Sequence, residues 1–469
     1  MSDDHGMVMA FTGNLAPQQR FSVCRDEKFL KVVELLRNTD VSFTNLEGCI
    51  QDGEDFPAYV AGNGRGATYL ACPPHTVEEV KWMGIKMVYA ANNHAADFAE
   101  GGILTTIKYF KAGGLGYAGI GPSLTAATAP GYLETPRGTV ALIAAADWGP
   151  RGRMDLPYQM PAAVMAADEG PMFKSRPGLN VIRYDAVTLV DRTTFDTLRK
   201  ASQELGWEQA KASRRRGGGR DEALIGPSVL GGEQDTDSEF HFMGRKFALA
   251  DRFDFTTAPY QVDLERNYRW IREARRQAEF VVVAFHDQGA RRPTEEEYTR
   301  IFAYGAIDAG ADIYVNTGCR HGGIEIYKGK LILHGLPAFF IQNEQVRQVP
   351  NQMMARFGLR PDESTPADFL DARDRGEGHG ANIMSSFRNT DFRGSAVHTV
   401  RYDENRNLKE VRIYPLTKIS TGPRSQLGRP QWDPDTEEAQ QVLARAMERS
   451  KRFGTKIEPK DGFGIVRVK

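Results

Sequence analysis

The sequence predicts a layered α/β fold, and two observations support that prediction. Short apolar runs that are typical of buried strands alternate along the chain with segments whose apolar residues recur at helical spacing. Polar side chains follow several of these runs, and after the run at 85–90 come Asn92, Asn93, His94 and Asp97. Because open α/β sheets gather ligand-binding groups at the carboxyl ends of their strands, this loop is the first candidate for a functional site.

Composition and charge are those of an ordinary globular protein. The chain has 469 residues, of which 41% are hydrophobic and 26% charged, and its net charge is −1. This balance gives no basic surface for nucleic acid, and no run of about 18 apolar residues predicts a membrane span. Residues 1–6 lack the basic and apolar regions of a signal peptide. We therefore expect a cytoplasmic protein without a nucleic acid or membrane partner.

The four cysteines show no CxxC spacing. That pattern predicts free thiols in a reducing compartment rather than a disulfide framework.

The amino-terminal third is predicted to alternate strands with helices. Strands are expected at 8–12, 41–45 and 85–90, and helices at 26–37, 76–83 and 103–112. A capping box from Thr76 to Glu79 is the signal that begins the second of these helices. Residues 51–72 are rich in Gly, Asp and Pro, which predicts an irregular loop over a pocket.

The remaining chain is predicted to continue as a single domain over residues 1–469. Within it, 150–260 is expected to be an insertion or lid, and 345–469 a C-terminal elaboration that begins with loops. The arginine-rich segment at 214–220 is expected to be a solvated surface loop. The further strands are expected at 139–146, 280–285, 312–315, 330–334, 396–403, 408–415 and 463–468, and the helices at 193–205, 263–278, 294–309 and 436–452.

Several short motifs, taken together and in this order, resemble one known family. They are Phe11-Thr12-Gly13-Asn14, Asn45-Leu46-Glu47, Asn92-Asn93-His94 with Asp97, the glycine-rich run at 114–121, the strand at 281–286, and Glu325-Ile326-Tyr327. The chain is similar to the CapA family of capsule or poly-γ-glutamate synthesis-type proteins, which have the calcineurin-like metallophosphoesterase fold. The resemblance implies a four-layer sandwich, in which helices flank a central β-sandwich, with a middle insertion.

The resemblance also implies a metal site, and we carried each family position onto this sequence separately. The family's Gly-Asp pair is Gly13-Asn14 here, so an amide replaces a carboxylate. The positions of Glu47, Asn93 and His286 are kept. The implied metal ligands are therefore Asn14, Glu47, Asn93 and His286, and they support at most one divalent ion, zinc or manganese, or none.

The family's two-His motif is altered. Counting back from Glu325 places Asn316 or Thr317 at its first position and Cys319 at its second, with His321 two residues later. A Cys319 thiolate would favour zinc over manganese. The resemblance implies that His94 helps to protonate a leaving group, and Asp97, Cys319 and His321 are the other candidate catalytic residues.

Three functions remain open from the sequence. The first is hydrolysis of a small amide or peptide-type substrate, γ-glutamyl bonds included, with one ion at Glu47, Asn93 and His286. The second is metal-independent epimerisation of a peptide or amino acid, which needs an acid and a base drawn from His94, His286, His321 and Cys319. The third is a non-catalytic partner subunit, and a homo-oligomer or a hetero-oligomer with a CapA-like paralogue is compatible with all three.

Overall fold

The computed structural model describes residues 6–58, 68–147, 165–215, 235–243, 245–287, 297–318, 322–375 and 394–468. The strands in these ranges are β1 (Val8–Ala16), β2 (Val41–Leu46), β3 (Cys49–Ile50), β4 (Ala71–Cys72), β5 (Met87–Tyr89), β6 (Gly116–Ala118), β7 (Ile120–Gly121), β8 (Gly131–Thr135), β9 (Gly138–Asp147), β10 (Gly178–Leu179), β11 (Val181–Ile182), β12 (Tyr184–Val190), β13 (Glu239–Phe242), β14 (Arg245–Leu249), β15 (Asp254–Pro259), β16 (Phe280–His286), β17 (Ile313–Thr317), β18 (Ile324–Tyr327), β19 (Lys330–Leu336), β20 (Phe340–Ile341), β21 (Ser395–Tyr402), β22 (Leu408–Lys418), β23 (Pro430–Gln431), β24 (Glu458–Lys460) and β25 (Phe463–Arg467). The α-helices are α1 (Glu27–Arg37), α2 (Thr76–Trp82), α3 (Ala99–Gly113), α4 (Leu124–Thr128), α5 (Arg192–Glu204), α6 (Trp207–Arg215), α7 (Gln261–Gln277), α8 (Glu297–Asp308), α9 (Asn351–Arg356), α10 (Pro366–Arg375) and α11 (Glu437–Ser450).

Two large sheets form the centre of the molecule. The first has the order β24-β25-β22-β21-β1-β2-β5-β6, with β20 beside β1 and β23 beside β22. The second has the order β11-β9-β16-β17-β19-β18, with β8 beside β9. The pairs β1–β2, β2–β5, β9–β16 and β16–β17 are all parallel, so each sheet presents a row of carboxyl strand ends.

Three hydrophobic clusters show that these sheets lie in a four-layer arrangement. One cluster joins the inner faces of the two sheets and includes Phe11, Phe43, Leu142, Val282 and Val315. A second lies between the first sheet and α1 to α3, and a third between the second sheet and α7 and α8. The structure therefore confirms the predicted four-layer sandwich, a central β-sandwich flanked by helices.

The middle of the chain adds a smaller sheet of order β13-β14-β12-β15. It has its own core, in which Phe195 of α5 packs against Phe240 of β13 with ring centroids 4.9 Å apart. Sequence analysis predicted the helix α5 here but missed the sheet. Its central strands, β12 and β14, show no regular alternation of buried and exposed positions and carry no long apolar run, so periodicity gave a weak signal.

The chain after the second sheet was expected to begin with loops, but the structure places two helices there. These are α9 and α10, whose Met353, Phe357 and Phe369 are buried in a cluster with Tyr69 and Phe98. The prediction was wrong because short helices are stabilised by the surface on which they pack, and the sequence does not show that surface.

Two local predictions for residues 51–83 also need correction. The capping box at Thr76 is absent: His75 is the N-cap residue of α2, and no side chain caps it. Glu79 is buried and its Oε2 instead accepts backbone N–H bonds from Phe21 and Ser22, at 2.9 and 2.7 Å. The supposed irregular loop ends in β4, which pairs with β3 in parallel.

Cys24, Cys49 and Cys72 are free thiols, as predicted, and Cys319 lies outside the described residues. Among the helices in the described ranges, none combines the length and apolar character that a membrane crossing requires.

Candidate functional site

The candidate site lies where strands of both sheets end at the same edge of the sandwich. From the first sheet, β1 brings Asn14 into register with Asn45 of β2, and β5 leads into the loop at 90–97. From the second sheet, His286 of β16 is in register with Thr317 of β17. Tertiary packing therefore collects polar side chains that are far apart in sequence.

Five of these side chains form a hydrogen-bonded cluster, which we call the amide network: Asn14, Asn45, Asn93, His286 and Thr317. Asn45 Nδ2 lies 3.0 Å from Asn14 Oδ1 and 3.2 Å from His286 Nδ1. His286 Nδ1 is also 3.1 Å from Thr317 Oγ1, and His286 Nε2 is 2.9 Å from Asn93 Oδ1. With Asn93 Oδ1 as the acceptor, His286 donates through Nε2–H, while its Nδ1 lies against Asn45 Nδ2 and Thr317 Oγ1.

Asn92 fixes the loop that carries the other candidate residues. Its Nδ2 donates to Asn45 Oδ1 at 3.2 Å and to the carbonyl of Leu46 at 2.8 Å, and its Oδ1 accepts the N–H of His94 at 3.1 Å. A buried amide that bonds its own loop two residues on is the usual way in which Asn shapes a turn. Asn92 therefore joins the loop to the amide network.

His94 and Asp97 form a buried pair, which we call the dyad. His94 Nδ1 lies 2.7 Å from Asp97 Oδ2, and that oxygen also accepts the N–H of Leu70 at 2.7 Å. Asp97 is fully buried, whereas His94 is 8% exposed. Its Nδ1 thus has a partner, and within the described residues no hydrogen bond is recorded for its Nε2.

The electrostatic surroundings favour a protonated His94. Burial lowers the pKa of His94, but the charge of Asp97, its hydrogen bond and the charge of Glu47 together outweigh burial, so the pKa is raised above its ordinary value. An imidazole held in this way by a carboxylate is a suitable acid near neutral pH.

Glu47 is the second carboxyl group at this edge. Burial raises its pKa, although the His94 charge and a hydrogen bond with Asn14 act in the opposite direction. Its Oε2 is buried and has no hydrogen-bond partner among the described residues. Burial and the Glu47 charge also raise the pKa of the Cys72 thiol to about 12, so Cys72 is a poor nucleophile.

The donor chemistry of the described residues is a poor fit to a pair of divalent ions. Asn14 and Asn93 carry no charge and, with His286, are already bonded within the amide network, so Glu47 is the one carboxyl group among the four implied ligands. No group of three or more His, Cys, Asp and Glu side chains in the described ranges is arranged to hold a metal. Divalent ions in such sites need anionic ligands, so the described residues alone do not form a resident metal centre.

The structure brings together six of the eight candidate residues from the sequence: Asn14, Glu47, Asn93, His94, Asp97 and His286. The other two, Cys319 and His321, lie outside the described residues, so the assignment of metal ligands stays a prediction. Sequence reasoning gave no role to Asn45 or Asn92, although both were visible as amides inside two of the quoted motifs. It named Thr317 only as a possible replacement for a histidine. Nothing in the sequence indicated that the Leu70 N–H would donate to Asp97.

The chain is similar in sequence to two known proteins and, weakly, in structure to a third. The chain is 28% identical to the uncharacterized proteins y4sH and y4uA of Sinorhizobium fredii, over 99% of this chain and 93% of each relative. A Staphylococcus aureus protein assigned as a 5'-nucleotidase, crystallised with alpha-ketoglutarate, aligns at 9% identity with a TM-score of 0.35. That alignment covers 86% of this chain and about half of the other chain (52%), and it is too weak to support an argument.

The family suggested by the motifs is also the one whose model matches most of the chain. The chain belongs to the bacterial capsule synthesis protein PGA_cap family, whose model matches residues 8–343.

Proposed function

We propose that this protein hydrolyses an amide or peptide-type bond, with His94 as the acid that protonates the departing nitrogen. The observation that carries the proposal is the dyad. Its Asp97 fixes His94 Nδ1 at 2.7 Å, and His94 Nε2 has no recorded hydrogen bond within the described residues. A histidine with one nitrogen anchored by a buried carboxylate is the common arrangement of an acid–base catalyst.

The reaction balances with the groups of this chain and water. Water adds to the carbonyl carbon of the substrate, the carbon–nitrogen bond breaks, and the proton on His94 Nε2 moves to the leaving nitrogen. The proton that the attacking water loses restores the imidazolium of His94. The new carboxylic acid gives its remaining proton to the free amine, so the products are a carboxylate and an ammonium ion. Asp97 stabilises the imidazolium before transfer, and the charge of Glu47 adds to this effect.

We propose a small peptide or amide as the substrate, and the family's capsule-synthesis name supports γ-glutamyl bonds as the first to test. No step of this mechanism passes through a metal ion, because the described donor set does not form a metal centre. If one zinc or manganese ion does bind with the help of Cys319 or His321, it would polarise the carbonyl group.

The test is release of amine from a panel of α-linked and γ-glutamyl peptides and amides. We expect His94→Gln to lower kcat about 100-fold or more with little change in KM, the usual size of an acid–base contribution. His75→Gln is the matched control, because His75 lies at the start of α2 outside the site. Equal rates for wild type and His94→Gln, or no release from any substrate, would overturn the proposal.

A second candidate is metal-independent proton transfer at a carbon next to a carbonyl group. The hydrogen bonds of His286 within the amide network favour it, since both ring nitrogens already contact side chains of this chain. The same substrates incubated in D₂O would then gain deuterium without bond cleavage. If neither hydrolysis nor exchange occurs, the site supports only the binding role of a partner subunit.

A further inference from the structure

Residues 68–70 lie between the dyad and the helices α9 and α10. On one side, the Leu70 N–H donates to Asp97 Oδ2 at 2.7 Å. On the other, Arg373 of α10 donates from Nη1 to Thr68 Oγ1 at 2.9 Å and from Nη2 to the carbonyl of Asn343 at 3.2 Å. Arg373 is only 2% exposed, so this contact belongs to the interior of the protein.

A second line of contacts joins the same helices to the dyad. Gln352 of α9 donates from Nε2 to the Tyr69 hydroxyl at 3.0 Å, and that hydroxyl donates to the carbonyl of Ala58 at 2.7 Å. The Ala58 N–H in turn donates to the backbone carbonyl of Asp97 at 2.7 Å. Asp97 is thus held through its side chain and through its main chain by segments that α9 and α10 support.

Apolar packing reinforces both lines. The Tyr69 ring meets the Phe98 ring edge to face, with centroids 6.0 Å apart, and Phe369 of α10 is fully buried in the same cluster. Phe98 directly follows Asp97 in the chain. A change in the position of α10 would therefore reach the dyad through packed side chains as well as through hydrogen bonds.

We propose that α9 and α10 are a positioning element for the dyad, with Tyr69, Gln352 and Arg373 as the residues that transmit their support. This inference rests on the proposed function for its catalytic meaning. The element begins after residue 343, where the match to the family model ends. The effect of Tyr69, Gln352 and Arg373 on Asp97 passes through other residues, so they are positioning residues.

The physical consequence concerns the orientation of Asp97. If the Leu70 N–H and the Ala58 N–H lose their support, Asp97 keeps its carboxylate but loses the fixed orientation that holds it against His94 Nδ1. The Leu70 and Ala58 amides are then separated from their acceptors on Asp97 more often, so they exchange their protons with solvent faster.

The experiment is amide hydrogen exchange, followed by NMR at Leu70 and Ala58 in the full chain, for wild type, Tyr69→Phe and Gln352→Ala. We expect both variants to speed exchange at these two amides about tenfold or more and to lower kcat for amine release with little change in KM. Tyr304→Phe is the matched control, because its hydroxyl donates to Glu325 on the second sheet at 3.0 Å. It should leave both exchange rates unchanged.

The exchange readout separates this inference from the proposed function, because it needs no substrate. Faster exchange at Leu70 and Ala58 in a protein without hydrolytic activity would support positioning and overturn only the hydrolase proposal. Unchanged exchange at both amides in both variants, with thermal unfolding showing that each is folded, would overturn the positioning role. Arg373→Lys is the second variant in case Tyr69→Phe unfolds, and the same two outcomes apply to it.

Discussion

Replacing Asp97 with Asn tests the electrostatic account of the dyad most directly. The substitution keeps the size of the side chain and an oxygen that can accept the Leu70 N–H, but it removes the charge that lies 2.7 Å from His94 Nδ1. Burial, which lowers the pKa of His94, is unchanged in the variant. Of the groups that raise the pKa, only the charge of Glu47 then remains.

The magnitude follows from the contact. An opposite charge in hydrogen-bonding contact typically shifts a pKa by about 1–3 units, and a unit corresponds to about 1.4 kcal/mol. Asp97 is fully buried, so solvent screening does not reduce its effect on His94. We therefore expect the pKa of His94 to fall from above its ordinary value of about 6.5 to that value or below it in Asp97→Asn.

The assay is an NMR titration of the imidazole resonances of the protein's nine histidines, with the His94 signal assigned by its absence in His94→Gln. A thermal-unfolding series over pH provides a second readout. A raised histidine pKa stabilises the folded state fully below the unfolded pKa, and this stabilisation is lost as pH rises through the folded pKa. The difference in Tm between wild type and Asp97→Asn should therefore be largest near pH 5 and narrow above pH 7. A His94 pKa that stays above 6.5 in the variant would refute the reasoning.

Three further predictions concern other parts of the structure. Glu47→Gln should lower the pKa of His94 by less than Asp97→Asn does, since Glu47 acts on His94 through charge alone; NMR titration measures this shift. Elemental analysis should find at most one equivalent of zinc or manganese, and a Glu47→Ala, His286→Ala double variant should lose whatever is bound. Asp263→Ala should destabilise the fold by about 2–4 kcal/mol in denaturant unfolding. This substitution removes the buried carboxylate that pairs with Arg183. In the wild type, Arg183 donates to Asp263 from N, Nε and Nη2 at 2.7–3.0 Å.

Each of these predictions has a contradicting result. An equal or larger shift in Glu47→Gln would mean that Asp97 is not the main partner of His94. Two equivalents of bound metal would contradict the conclusion that the described residues are a poor fit to a pair of divalent ions. Asp196 forms an ion pair with Arg192 in which both side chains are 60% exposed, so Asp196→Ala is the control for Asp263→Ala and should cost under about 1 kcal/mol. A loss of stability in Asp263→Ala no larger than in this control would contradict the third prediction.

Much of the architecture was accessible from the sequence, because buried strands and amphipathic helices leave periodic patterns. The strands that become β2, β5, β9 and β16, and the helices α1, α7 and α11, all lie close to their predicted ranges. The missed elements share a different property. The smaller sheet formed by β12 to β15, and the helices α9 and α10, are short or half-exposed. Their stability comes from surfaces supplied by other segments, and sequence periodicity does not show those surfaces.

The sequence by itself determined which residues stand at the carboxyl ends of the strands, since Asn14, Glu47, His94, Asp97 and His286 each follow or end an apolar run. Only the tertiary structure decided what those residues do to one another. The carboxylate of Asp97 is recognisable as part of a dyad because folding places its oxygen against His94 Nδ1 and excludes water from it. A pKa depends on burial and on distances to charges, and segments that lie far apart in the chain set both the burial of His94 and its distance from Glu47.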